Sequence, residues 1–101
     1  MAVVHRVYAE ALLEAAKDEK RLDRVRKEFD DFATAVEGSN ELRSFLANPQ
    51  IESQSKSAAL EELLTGADEL LVNFVRLLAE KNRIAEAVQV HEEWERLLAR
   101  E

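Results

Sequence analysis

Apolar residues recur every three to four positions through most of the chain, which is the spacing of an amphipathic helix. Start and stop signals divide this pattern into six segments joined by short linkers. The predicted helices lie at about 3–18, 22–38, 41–47, 54–64, 69–81 and from 83 onwards. We therefore predict an all-α protein, a compact six-helix bundle in a single domain.

The helix ends are predicted from individual residues. Gly38 and Gly66 suit the left-handed position that closes the second and fourth helices. Asn82 tolerates the same conformation better than most residues, so we expect the sixth helix to begin near Arg83. The residues expected to cap the third, fourth and fifth helices are Asn40, Ser53 and Asp68.

Two of the predicted helices carry more apolar surface than one packing face can use. The second helix has an apolar arc of roughly 100°, as expected of a helix with its other side in water. The fifth helix has an arc of roughly 220°, interrupted by Asn73 and Arg76, and the first has about 240°.

Two interpretations of this surplus remain open. Either both helices lie at the centre of the bundle and are covered by the chain itself, or they lie side by side and line a groove for an apolar stripe of another molecule. Ala11 and Ala15 flank Tyr8 and would let a visiting backbone approach closely. The wide apolar arcs of the two helices indicate four candidate groove residues: Val4, Ala15, Leu70 and Phe74.

Charge and composition exclude several classes of protein. The formal net charge is −7, with basic residues interleaved among a larger number of acids, so we expect no binding of nucleic acid and no direct docking on an anionic membrane. Without cysteine there are no disulfides or thiolate metal sites. The apolar runs are shorter than a transmembrane span of roughly 20 residues. The N-terminus lacks the unbroken apolar segment of a signal peptide, so the expected location is the cytoplasm.

Neither a catalytic nor a cofactor constellation is predicted. His91 lies beside the apolar stripe of the last helix, but a Glu-x-x-His metal motif fails because position 88 is Val. We expect His91 to be half-buried and hydrogen-bonded, and His5 to lie on the surface. With no glycine-rich phosphate loop and no nucleophile motif, we expect no enzyme activity, no metal and no cofactor.

Two stretches carry a family resemblance. "YAEALLEAAKDEKRLD" (8–23) and "LVNFVRLLAEKNRI" (71–84) resemble the delta subunit of bacterial F-type ATP synthase, whose mitochondrial relative is the oligomycin-sensitivity-conferring protein. The order of the segments between them, including "LRSFLANPQI", matches as well. The resemblance covers nearly the whole chain but only the family's N-terminal domain. The residues that carry it are Tyr8, Ala9, Ala11, Leu12, Ala15, Asn73, Arg76, Ala79, Glu80 and Arg83.

The resemblance implies a six-helix domain that grips the N-terminal helix of an alpha subunit between the first and fifth helices. The implied groove positions are Tyr8 and Ala11 on one wall, with Asn73 and Leu77 on the other. The subunit would act as a non-catalytic tether of the peripheral stalk, on the cytoplasmic face of the cell membrane. The family's C-terminal domain, which holds the stalk, is missing from residues 1–101, so we expect no stalk binding here. The alternative is a small helical protein that uses the same apolar surplus to form a homodimer.

Overall fold

Six α-helices and one 3₁₀ turn form the protein in a computed structural model that describes residues 3–100, and those residues contain no strand. The all-α prediction and the number of helices are therefore confirmed. None of the described helices has both the length and the apolar character needed to cross a membrane. The elements are α1 (Val3–Asp18), α2 (Leu22–Glu37), α3 (Asn40–Ala47), α4 (Ser53–Leu63), α5 (Glu69–Glu80), the 3₁₀ turn (Ile84–Glu86) and α6 (Ala87–Ala99).

The core is built on aromatic rings from three helices. Phe29 of α2 is fully buried, and its ring centroid lies 5.4 Å from that of Trp94 on α6 and 5.8 Å from that of Phe74 on α5. Both contacts are edge-on, the arrangement that aromatic quadrupoles favour. Around these rings α1 packs along α6, and α4 packs along α5. Consequently one side of α1 and one side of α5 are fixed in the core.

Three predicted boundaries in α2, α3 and α4 differ from the structure. Gly38 follows α2 with a φ of −82°, so the helix ends without the left-handed residue that we expected. The hydroxyl of Ser39, not the side chain of Asn40, caps α3 by accepting a hydrogen bond from Leu42 N. Ser53 is the first residue of α4, because the residue with extended backbone before it is Glu52, whose side chain makes no capping bond. All three differences are local, and the helices keep their predicted faces.

The left-handed residues around α5 are confirmed. Gly66 has a φ of +88° and Asn82 a φ of +58°. The chain after Asn82 does not enter an α-helix at Arg83 as predicted, because it first forms the 3₁₀ turn. Lys20 also has a positive φ, of 60°, in the tight connection between α1 and α2, where no glycine or asparagine marked the turn.

A buried carboxylate fixes the start of α5. Asp68 is 3% exposed, and its side chain accepts a hydrogen bond from Leu70 N at 2.9 Å, as the predicted cap should. Arg21 and Arg24, on either side of the α2 N-terminus, lie 3.3 and 3.7 Å from its two oxygens. The backbone N–H of Asp68 in turn donates to the Glu28 carboxylate at 2.7 Å. This cluster joins the α4–α5 connection to α2 and so sets the position of α5.

We expect Asp68→Ala to lower the free energy of unfolding by about 1–2 kcal/mol, because the change removes the α5 cap. Asp68→Asn is the matched variant, since asparagine caps helices as well as aspartate does but carries no charge. Both arginines are about half exposed, so water screens the ion pairs and the asparagine variant should recover most of the loss. Urea denaturation measures both values. Equal losses in the two variants would mean that charge, and not capping, holds this helix end.

Candidate helix-binding groove

The apolar surplus of α1 and α5 lies partly in solvent. On α1, Val3 is 72% and Val7 is 55% exposed, and Ala11 is exposed as well. On α5, Leu77 is 38% exposed although it belongs to the same helix as the fully buried Leu71 and Leu78. The chain therefore does not cover both helices on all sides, and the interpretation that it does is wrong for this surface.

One wall of the predicted groove is a straight row along α1. Val4, Tyr8 and Ala15 are half-buried, and Ala11 is exposed. Their spacing of four, three and four residues puts them on one flank of the helix. The second half of the row presents only the methyl groups of the two alanines, whereas the first half contains the larger Tyr8 side chain. The space beside α1 is therefore wider next to the two alanines than next to Tyr8.

The other wall runs along α5. Leu70 is half-buried, Asn73 and Leu77 are exposed, and their spacing of three and four residues again defines one flank. Phe74 is only 7% exposed and lies beneath this flank. Its ring centroid is 6.4 Å from that of Tyr8, at an interplanar angle of 70°. Tyr8 and Phe74 therefore join the two walls, and Phe74 belongs to the floor.

The two helices run in opposite directions. The C-terminal end of α1 meets the N-terminal end of α5, where Lys17 and Lys20 line the same cavity as Asp68 and Glu69. The far flank of α5 faces α4, since Arg76 pairs with Glu61 of that helix at 3.1 Å. The flank with Asn73 and Leu77 is exposed. Of the predicted groove residues, Tyr8 of α1 and Phe74 of α5 are in contact, and the others lie along the flanks of the same two helices.

His91 is the half-buried, hydrogen-bonded histidine that the sequence predicted. Its Nε2 lies 2.6 Å from an oxygen of Asp30 on α2, and its Nδ1 lies 3.8 Å from Glu95. The possible ligand atoms of these three side chains all lie within 4.8 Å of one another, which is close enough for them to approach a common cation. Asp30 comes from another helix, which spacing along α6 could not reveal. Because both ring nitrogens face carboxylates, the arrangement is that of a structural histidine that links α2 to α6.

The prediction for His5 is wrong. Its side chain is 16% exposed, and its Nε2 lies 2.6 Å from a carboxylate oxygen of Glu86 in the 3₁₀ turn. The physical reason is that α1 packs along α6 for much of its length, so its first turn is covered by the segment that leads into α6. His5 therefore ties the start of α1 to the 3₁₀ turn.

Comparison with known proteins identifies the family. The model for "ATP synthase delta (OSCP) subunit" matches residues 4–101, nearly the whole chain. The chain belongs to the ATP synthase delta (OSCP) family. The resemblance noted in the two helical stretches is thereby confirmed.

Individual relatives of this family match over less of their own length. The ATP synthase subunit delta of Prochlorococcus marinus is 36% identical over 78 residues, which are 76% of this chain and 43% of the relative. That of Rubrobacter xylanophilus is 37% identical over 76 residues, 75% of this chain and 42% of the relative. That of Acetivibrio thermocellus is 32% identical over 98 residues, 96% of this chain and 55% of the relative. The chain thus spans about half the length of these delta subunits.

Proposed function

We propose that this chain is the N-terminal helical domain of an ATP synthase delta subunit and that it binds the N-terminal amphipathic helix of an alpha subunit. The observation that carries the proposal is the pair of partly exposed apolar rows on α1 and α5. A member of this family that presents two adjoining apolar flanks on antiparallel helices is suited to accept a third helix between them.

The energetics of such a complex are favourable. Burial of one large apolar side chain contributes roughly 1.5–3 kcal/mol. Val4, Tyr8, Leu70 and Leu77 are the large groove side chains with surface left to bury. Three or four anchors of the visiting helix against them would offset the ordering of a short peptide and leave net affinity.

The role that follows is mechanical and not catalytic. A domain that holds the alpha subunit joins the catalytic head of the synthase to the peripheral stalk and resists rotation of the head with the rotor. Stalk subunits would bind the other half of the delta subunit, which lies outside residues 1–101. The domain would therefore work at the cytoplasmic face of the membrane, as a peripheral part of the complex and without a cofactor.

Self-association through the same surface is the second candidate function. Val3 and Val7 extend the exposed apolar area of α1 beyond the groove wall. A homodimer could bury this larger area between its two copies. Light scattering separates the two candidates. The groove proposal expects a monomer that becomes a heterodimer when the alpha N-terminal peptide is added, whereas the second expects a dimer before any addition.

The proposal is tested by titrating the isotopically labelled domain with a peptide from the N-terminus of the alpha subunit. We expect the perturbed backbone amides to lie along the groove flanks of α1 and α5, because only these helices contact the peptide. Amides of α3, which packs against α2 and the 3₁₀ turn, serve as the internal control. Saturable shifts centred on α3 or α6, or no shifts at millimolar peptide, would contradict the proposal.

A further inference from the structure

The groove contains two polar groups at one level and apolar side chains on either side of them. The ring of Tyr8 contacts that of Phe74, the residue that follows Asn73, so Tyr8 and Asn73 lie at a similar height on the two antiparallel walls. Val4 and Leu77 lie towards one end of the groove, and Ala11 and Leu70 towards the other. The groove therefore has a polar middle between two apolar sections.

Neither polar group is engaged within the part of the chain that the structure describes. Residues 3–100 provide no hydrogen bond to the Tyr8 hydroxyl or to the Asn73 amide. Arg76, the next polar side chain along α5, is already paired with Glu61 of α4. In the free domain, water satisfies the exposed Asn73 amide.

A visiting helix removes that water. An amide or hydroxyl that is buried without a partner costs free energy of the order of 1–3 kcal/mol, enough to cancel one apolar anchor. A helix with an uninterrupted apolar stripe would gain binding free energy at the two ends of the groove. It would lose part of that free energy at the middle, where the polar groups would be left without partners. A stripe with one hydrogen-bonding side chain at that level avoids the loss.

We propose that Tyr8 and Asn73 select a helix whose apolar stripe is interrupted once by a hydrogen-bonding side chain, and that this contact fixes the register of the helix. The inference rests on the proposed function, because it concerns the helix bound in that groove. A shift by one turn would put the polar side chain against Leu77 or Leu70 and leave the phenol and the amide unpaired. A single buried asparagine fixes the register of coiled coils in the same way.

The partner chemistry follows from the two walls. The interrupting residue is Gln, Asn, Ser or Thr, which can both donate to and accept from an amide. One turn away, a large apolar side chain meets Ala11, where the wall leaves room for it. The face of the alpha subunit's N-terminal helix that enters the groove should therefore carry an apolar residue, then a polar residue, then an apolar residue at successive turns.

The experiment measures the affinity of the alpha N-terminal peptide, and of variants with each polar residue of its apolar stripe replaced in turn by Leu, by fluorescence anisotropy. The domain variants are Tyr8→Phe, which keeps the ring on Phe74, and Asn73→Leu. Gln54→Leu, at an exposed amide on α4, is the matched control. Circular dichroism verifies that each variant is folded.

We expect Tyr8→Phe and Asn73→Leu each to weaken binding of the natural peptide by about tenfold, which corresponds to about 1.4 kcal/mol. Gln54→Leu should change nothing. The natural peptide should bind the unchanged domain more tightly than the Asn73→Leu variant. The peptide in which Leu replaces the interrupting polar residue should show the opposite preference and bind the Asn73→Leu variant more tightly. If the unchanged domain binds the peptide but both variants bind every peptide at least as well, the register inference is wrong and the groove proposal stands. If the unchanged domain binds no peptide, both are wrong.

Discussion

Phe29→Ala should lower the free energy of unfolding by about 3–5 kcal/mol, the range for removal of a buried phenylalanine ring. Phe29 is fully buried, and its ring lies at the junction of three helices, with the rings of Phe74, Trp94 and His91 at 5.8, 5.4 and 4.8 Å. Because these neighbours are themselves packed, the site cannot collapse around the cavity. A domain of this size has a total stability of roughly 5–15 kcal/mol, so the loss is a large fraction of it.

Chemical denaturation at low temperature measures this change, with Phe45→Ala as the control. Phe45 of α3 is only half-buried, so its removal should have a clearly smaller effect. Phe29 lies behind Phe74 and does not reach the groove, so the variant should lose peptide affinity only in proportion to its unfolded fraction. A Phe29→Ala domain that is fully folded and yet does not bind would contradict this assignment.

Ala11→Asp should abolish binding of the alpha N-terminal peptide and leave the stability of the domain nearly unchanged. Ala11 is exposed in the free domain, so the new carboxylate remains in water until a helix covers it. Covering it removes that water without supplying a partner, and an unpaired buried charge costs more than one apolar anchor contributes. The binding measurement is the same titration, and thermal unfolding gives the stability.

Two alanines provide the controls for this substitution. Ala9, two residues earlier on α1, has 0% exposure, so Ala9→Asp should unfold the domain. Ala58 is exposed on α4, so Ala58→Asp should neither unfold it nor affect binding. If Ala11→Asp behaved like Ala9→Asp, Ala11 would belong to the core and the α1 wall would be misplaced.

Local periodicity was enough to predict the helices and the two unusual faces. It shows how much of a helix is apolar, and the exposed Val7 and Leu77 are part of the excess that it indicated. It is weaker at helix ends, where neighbouring residues compete for the same position. Ser39 and Asn40 are both good caps, and a shift of one residue decided between them.

Contacts between distant segments were beyond the reach of that pattern. His5 meets Glu86 across 81 positions, and Asp30 meets His91 across 61. Arg21, likewise, is 47 residues from Asp68. Each of these pairs depends on which helices lie side by side, and charge spacing within one helix contains no such information. The level at which Tyr8 and Asn73 lie across the groove has the same origin.

The row of rings that runs from Tyr8 through Phe74 and Phe29 to Trp94 has a practical consequence for spectroscopy. The chain contains one tyrosine and one tryptophan, so each chromophore reports from a single known place. The absorbance of Tyr8 depends on the polarity of the groove, while the fluorescence emission of Trp94 depends on whether the core is folded. Peptide binding and unfolding can therefore be followed separately in the unlabelled protein.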